Sequence, residues 1–472
     1  MTTSAGNSYD YRIAFGVWIN DMRTTPLPLD HWPAPQFDDE TVDSIIRTMD
    51  VQQAAGFNMF DVWGLFATYG WPLDIVSAID DDRRRRVNTI INAAKARGIK
   101  PVLGLGTYSW GYDKIIEANP ELRGKDQTGA PHPHAMCDAN PAAFEYVKRI
   151  IDVVLGEFDF EGVHLESCDL GCCHCPECAG KDGMVGYNAR INQKTADYIK
   201  SQWPEKIVYV ITISWIPPMK HFSPEELDQV VELSRHVDCI FDQGHRGFHV
   251  APDQRREFIP RLHSAYGTSG ELWLYPDAHW DRGSYFLPYI SRAGEGLKRQ
   301  HEDGVRGCMF YQGPVANPGA EAMIAVGGRI LADTSRSVED VLSEVLELYY
   351  KPKTTEAHKL LLSIFQRAEE TYFSHWSAER FAQMWGAPVP GEFMLDQHLF
   401  TTFPGPATYL KEPSLDAEGR KAYKAGLISI LGDLPKLAGQ CDDGGRVERI
   451  QRGVIVTSNL VSTVQFCMGE PL

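Results

Sequence analysis

Positive charge is in deficit: 46 Lys and Arg stand against 63 Asp and Glu, a net charge of −17. Nucleic acids and anionic membranes reward stripes of Lys and Arg, so neither is an expected partner. The basic run Arg83–Arg86 directly follows Asp80–Asp82 and reads as the solvated start of a helix. Nowhere do roughly 18 apolar residues run together. The opening MTTSAGNSYDYR has no basic segment followed by an apolar one. No membrane span is therefore expected, and the expected location is cytoplasmic. A Gly-rich phosphate loop after the first strand is also missing. Gly104-Leu105-Gly106 falls on the third predicted strand without the rest of the fingerprint, which argues against a doubly wound dinucleotide-binding sheet. No biased or repetitive tract suggests disorder.

What is present is the composition of a folded chain, 43% hydrophobic and 23% charged. At 472 residues it suits a large barrel of about 250–350 residues plus a smaller unit. Short β-rich runs alternate with amphipathic stretches, the pattern of parallel strands joined by crossover helices. Eight strands are predicted: Arg12–Ile19, Phe57–Trp63, Lys100–Gly106, Gly162–Glu166, Ile207–Ser214, Val237–Asp242, Glu271–Tyr275 and Val305–Tyr311. Helix starts are marked by Ser223-Pro224-Glu225-Glu226 and by Asn140-Pro141, and Gly56 and Gly98 mark helix ends just before strands. The expected fold is α/β, a (β/α)8 TIM barrel over residues 1–334. A C-terminal helical domain over 335–472 is expected from the long helical patterns at Ser337–Tyr350, Thr355–Trp376 and beyond Asp416.

Catalytic groups of such barrels come from the carboxyl ends of the strands. Those ends carry Trp18, Asp61, Trp63, Trp110, Glu166, Asp169, Trp215, Asp242, His245, Asp277, Trp280, Tyr311 and Gln312. Rings mixed with carboxylates and amides suit sugars, whose C–H faces stack on aromatics while their hydroxyls need hydrogen-bonding partners. Cleaving a glycosidic bond takes a protonated acid and a second carboxylate. Glu166 is the expected acid, because it ends the apolar run Gly162–Leu165, where a carboxylate is costly unless the site uses it. Asp242 and Asp277 are the candidate partners. Trp18, Asp61, Trp63, Trp110, Asp169, Trp215, His245, Trp280, Tyr311 and Gln312 are expected to bind substrate.

The strand order, the segment from Asn119-Pro120-Glu121 to Cys137-Asp138-Ala139-Asn140-Pro141, and Glu166-Ser167-Cys168-Asp169 resemble barrel glycoside hydrolases related to hexosaminidases and α-glucuronidases. So do Gly328–Asp333 and Ser337–Asp340, and the resemblance spans about residues 12–350. It implies a hydrolase of carbohydrate metabolism, exo-acting on an oligosaccharide or glycoside. In hexosaminidases an Asp-Glu pair ends the fourth strand, whereas here Leu165 precedes Glu166. The α-glucuronidase pattern, an acid on the fourth strand with carboxylates on later ones, is nearer. No Arg or Lys cluster marks a uronate pocket. Association into homo-oligomers stays open.

Five of the ten cysteines crowd between Cys168 and Cys178, which points to metal chemistry rather than disulfides. A structural zinc is expected, held by Cys172, Cys175 and Cys178 with Cys173, Cys168 or His174 as the fourth ligand. Cys168-x3-Cys172-x2-Cys175 also matches the cluster spacing of radical S-adenosylmethionine enzymes, though four βα units precede it here. A non-catalytic sugar-binding barrel is the other rival reading.

Overall fold

A computed structural model describes residues 6–16, 37–66, 71–109, 111–168, 170–212, 215, 222–242, 252–268, 286, 288, 290–312, 318–375, 415–467 and 469–470. Its strands are β1 (Tyr11–Gly16), β2 (Met59–Val62), β3 (Lys100–Thr107), β4 (Arg123–Lys125), β5 (Pro131–Met136), β6 (Gly162–Ser167), β7 (Ile207–Ile211), β8 (Cys239–Asp242), β9 (Ala265–Thr268) and β10 (Gly307–Gln312). Eight of them close a barrel in the order β1-β10-β9-β8-β7-β6-β3-β2, while β4 and β5 form a separate antiparallel hairpin. Closure pairs both edges of each barrel strand. β3 and β6 are buried along nearly their whole length, as befits parallel strands covered on both faces.

Local chemistry sets the helix boundaries. Asp38 caps Asp39–Ala55 through the Thr41 N–H, and Gly56 ends that helix at φ 90°, a left-handed conformation in which glycine pays no Cβ penalty. Asn140 caps Pro141–Glu157 through the Ala142 N–H. Ser223 and Glu226 form the expected capping box at the start of Pro224–Leu233. The buried face of Pro141–Glu157 includes Val147, Ile151 and Val154, at the spacing of one helix face.

The seventh barrel strand differs from expectation. It is β9, Ala265–Thr268, rather than Glu271–Tyr275, and residues 271–275 lie outside those described. Pairing explains the choice, because Cys239, Phe241 and Asp242 align with Ala265, Gly267 and Thr268. A Cβ on Gly267 would run into the Phe241 ring, so a residue of low strand propensity is required at this place.

The chain forms two compact units, residues 10–270 with 303–309, and residues 1–9, 271–302 and 310–472. In the second, Ile290–Glu302 packs against Pro318–Ala332 and Val338–Tyr350, so helices from both sides of the expected 334/335 boundary lie together. The expected C-terminal helices are present at Val338–Tyr350, Thr355–Phe373 and Ala417–Asp433, with Ser337, Thr354 and Asp416 as N-caps. Glu369, buried in the helix Thr355–Phe373, accepts the N–H groups of Ser291 and Arg292 at 3.0 and 2.9 Å. It thereby satisfies two donors at the start of Ile290–Glu302 that have no intrahelical acceptor.

Candidate active site

Side chains of paired residues in parallel strands project to the same side, and successive residues alternate. The register places Gly104, His164 and Tyr209 in one row and Gly106, Glu166, Ile211 and Phe241 in the next. The first row faces the barrel interior, since Asp61 on β2 meets both β6 and β7 across the glycine position of β3. Asp61 Oδ2 lies 2.5 Å from His164 Nδ1 and accepts the Tyr209 hydroxyl at 2.8 Å. The Trp63 ring meets His164 edge-on at 5.3 Å and covers Gly104, where a Cβ would clash with the indole. His164 stacks on Tyr209 with centroids 4.9 Å apart. Burial and the Asp61 carboxylate push the Tyr209 hydroxyl well above its ordinary value, so it remains a donor. Among the described residues Asp61 Oδ1 has no hydrogen-bond partner.

Glu166 follows His164 by two residues and so projects to the same side, nearer the carboxyl end of β6, with 7% of its surface exposed. Asp61, Trp63 and Glu166 are thus expected site residues on one side of the barrel wall. Asp242 is not. The register aligns Glu166 with Phe241, and Phe241 packs inside against Tyr209 at 5.3 Å. Asp242, one residue on, therefore turns to the opposite side, where its Oδ2 accepts the Tyr266 hydroxyl at 2.8 Å. Tyr266 in turn packs on Phe258 of the flanking helix Pro252–Phe258. Alternation at the end of β8 thus removes the expected pairing of Asp242 with Glu166. Trp215 is fully buried just after β7, and among the described residues its Nε1–H has no acceptor. Trp18, Trp110, Asp169, His245, Asp277 and Trp280 lie outside the described residues, as do the side chains of Tyr311 and Gln312 at the end of β10.

Sequence reasoning did not single out His164 and Tyr209. The period-two spacing of His164 and Glu166 was the available signal. Also unforeseen is backbone strain where β3 and β6 end. Thr107 pairs with Ser167, and the next residues, Tyr108 and Cys168, adopt φ of 68° and 75°. Such conformations cost non-glycine residues about 1–3 kcal/mol and persist only where surroundings over-determine them. Here Met136 N–H donates to the Tyr108 carbonyl at 2.8 Å and Cys168 N–H donates to Ser109 Oγ at 3.0 Å. Asn192 joins both strand ends, accepting from Thr107 Oγ1 at 3.1 Å and donating to Ser167 Oγ at 2.8 Å.

The hairpin β4–β5, inserted after β3, adjoins the cysteine loop. Asp126 makes its turn by accepting the N–H groups of Thr128 and Ala130, with Gly129 at φ 85°. The thiols do not gather as the spacing suggested. Cys137, just after β5, joins Cys173, Cys175 and Cys178, and the four sulfurs lie within 4.8 Å of one another. Cys172 instead lies 3.7 Å from His174 Nε2 and beside Cys168, and the Cys168 contact together with burial pushes its thiol up. Contacts with the Cys137 and Cys178 thiols lower Cys173 to about 4 despite burial. The thiol cluster thus includes Cys137, too far away in sequence for spacing to reveal, and leaves out Cys172. Of the three cysteines at the radical-enzyme spacing, Cys175 joins Cys137, whereas Cys172 lies beside Cys168. Nearby, Asp138 is held below the usual carboxylate range. Burial works against this, but Lys194 and Arg190 outweigh it.

No protein-family model matches the chain. No curated protein matches it in sequence. Among the solved structures similar to it is a GH138 enzyme targeting pectin rhamnogalacturonan II, with a TM-score of 0.61 at 10% identity. The alignment covers 98% of this chain but 58% of that one, so the chain spans less than two thirds of that enzyme's length. An O-GlcNAc hydrolase from Thermobaculum terrenum aligns with a TM-score of 0.53 at 9% identity, over 96% of this chain and 83% of its own. What the chain shares with these glycoside hydrolases is the closed eight-stranded parallel barrel.

Proposed function

We propose that this chain is a glycoside hydrolase in which Glu166 acts as the general acid, exo-acting on an oligosaccharide or glycoside. The observation that carries the reading is the position of Glu166, a buried carboxylate on the interior side of β6 at its carboxyl end, one row above the Trp63–His164–Tyr209 layer. Barrel enzymes place their chemistry at that end. The two solved hydrolases described above add the fold. With Asp242 turned away, Asp277 becomes the preferred second carboxylate, serving as nucleophile or as base toward water. The acid role requires a protonated carboxyl near neutral pH, a state favoured by apolar walls or a neighbouring carboxylate.

A panel of chromogenic and natural glycosides tests the reading. Glu166→Gln is expected to lower turnover on poor leaving groups by about 10²–10⁴-fold while sparing activated aryl glycosides, whose departure needs little proton assistance. Equal loss on both substrate types would remove the acid role. Sugar binding without turnover by the wild-type protein would replace the enzyme with a binding barrel.

A further inference from the structure

We infer that Cys137, Cys173, Cys175 and Cys178 form a tetrathiolate centre for one zinc ion, which fastens the loop after β6 to the hairpin after β3. The inference stands independently of the glycosidase reading. A tetrahedral zinc with Zn–S bonds of about 2.3 Å needs sulfurs about 3.8 Å apart. Cys137 Sγ lies 3.7 Å from Cys175 Sγ and 3.9 Å from Cys178 Sγ, and all four sulfurs fall within 4.8 Å of one another. A pair of thiols at such distances is ordinary; four converging from two separate loops meet the ligand count of a closed structural site.

The surroundings supply what thiolate ligands require. Lys125 N–H donates to Cys173 Sγ at 3.4 Å, and His174 N–H donates back to the Lys125 carbonyl at 2.7 Å, so the hairpin strand β4 grips the loop at Cys173 and at His174. Backbone N–H groups that donate to ligating atoms orient them and offset their charge. Gly124 allows this approach, since a Cβ there would come within 2.9 Å of Cys173 Cβ. Gly180 does the same on the other flank, where a Cβ would come within 2.7 Å of the Cys175 carbonyl oxygen. Arg190 ties the far side by pairing with Asp138, next to Cys137, and by donating to the carbonyl of Glu177, next to Cys178. Cys172, Cys168 and His174 are not needed.

Soft thiolate ligands in a tetrahedral arrangement favour zinc, and each thiol releases its proton to solvent on binding. The full chain, purified under reducing conditions and equilibrated with zinc, is expected to retain about one zinc per chain after desalting. Cys172→Ser should retain it, and Cys137→Ser should lose it or bind at least tenfold more weakly in competition with a chromogenic chelator. Zinc-free wild-type protein after equilibration, iron in its place, or equal loss in both variants would overturn the assignment. If Cys137→Ser fails to fold, cobalt titration of the wild-type chain decides. Intense tetrahedral bands with thiolate-to-cobalt charge transfer are expected, whereas the weak spectrum of an octahedral ion would refute the centre.

Discussion

Replacing Tyr209 by Phe removes one hydroxyl and little else, which makes it a sharp probe of the polar layer inside the barrel. Asp61 is fully buried and accepts two hydrogen bonds, from Tyr209 at 2.8 Å and at the 2.5 Å contact with His164, while its second oxygen has no partner among the described residues. Hydrogen bonds to charged groups contribute about 1.5–3 kcal/mol, and a buried carboxylate that loses one is left with a desolvation cost no longer offset by that bond. The expected cost of Tyr209→Phe is therefore about 2 kcal/mol, a factor of roughly 30 in the opening equilibrium. Because the chain has two compact units, a single global unfolding energy is a poor readout. Hydrogen exchange of the β6 and β7 amides reports the barrel wall directly. Exchange there should quicken by about that factor. In an Asp61→Asn background the same substitution should cost clearly less, a coupling of about 0.5–3 kcal/mol. Additive effects, or exchange unchanged in Tyr209→Phe, would show that the Asp61–Tyr209 contact does not hold the layer together.

Glu369→Ala should destabilise the second unit by about 1–3 kcal/mol, because the N–H groups of Ser291 and Arg292 lose their shared acceptor inside the protein; thermal unfolding measures this. Burial raises the Glu369 carboxyl despite those bonds, so its ionisation opposes folding, and stability should fall as pH rises from the ordinary value of 4.5 through the higher folded one. The His134 imidazole is raised above 6.5 chiefly by its hydrogen bond to Asp113. Its contribution to the hairpin is therefore full below pH 6.5 and fades as pH rises through the folded value, and Asp113→Asn should abolish that dependence in an NMR titration of the ring.

Much of the barrel was legible because its signals are local. The capping box at Ser223, the Asn140-Pro141 start and the Gly56 stop depend on residues a few positions apart, and each falls where expected. The seventh strand was misplaced for a nonlocal reason. Gly267 weakens the pattern of β9 because Phe241, from a neighbouring strand, needs the space a side chain would fill. Glu166 was readable as the polar end of an apolar run, and it does project inside. Asp242 looked equivalent, yet its side depends on a register that one strand alone does not reveal. Cys137 shows the same limit: the run from Cys168 to Cys178 advertises metal chemistry, but the partner from beyond the hairpin becomes visible only once the chain has folded.

The left-handed turns at Tyr108 and Cys168 carry a consequence for exchanging loops between related barrels. Two neighbouring strands release their chains at the same height and by the same turn, and the released segments then hold each other through Lys125, Cys173, His174 and Asn192. They behave as one structural part. Transplanting the cysteine loop alone into another barrel would leave Lys125 and Cys137 behind, and transplanting the hairpin alone would strand its backbone donors. The smallest piece that travels intact runs from the end of β3 through residue 192, with Glu166 carried inside it.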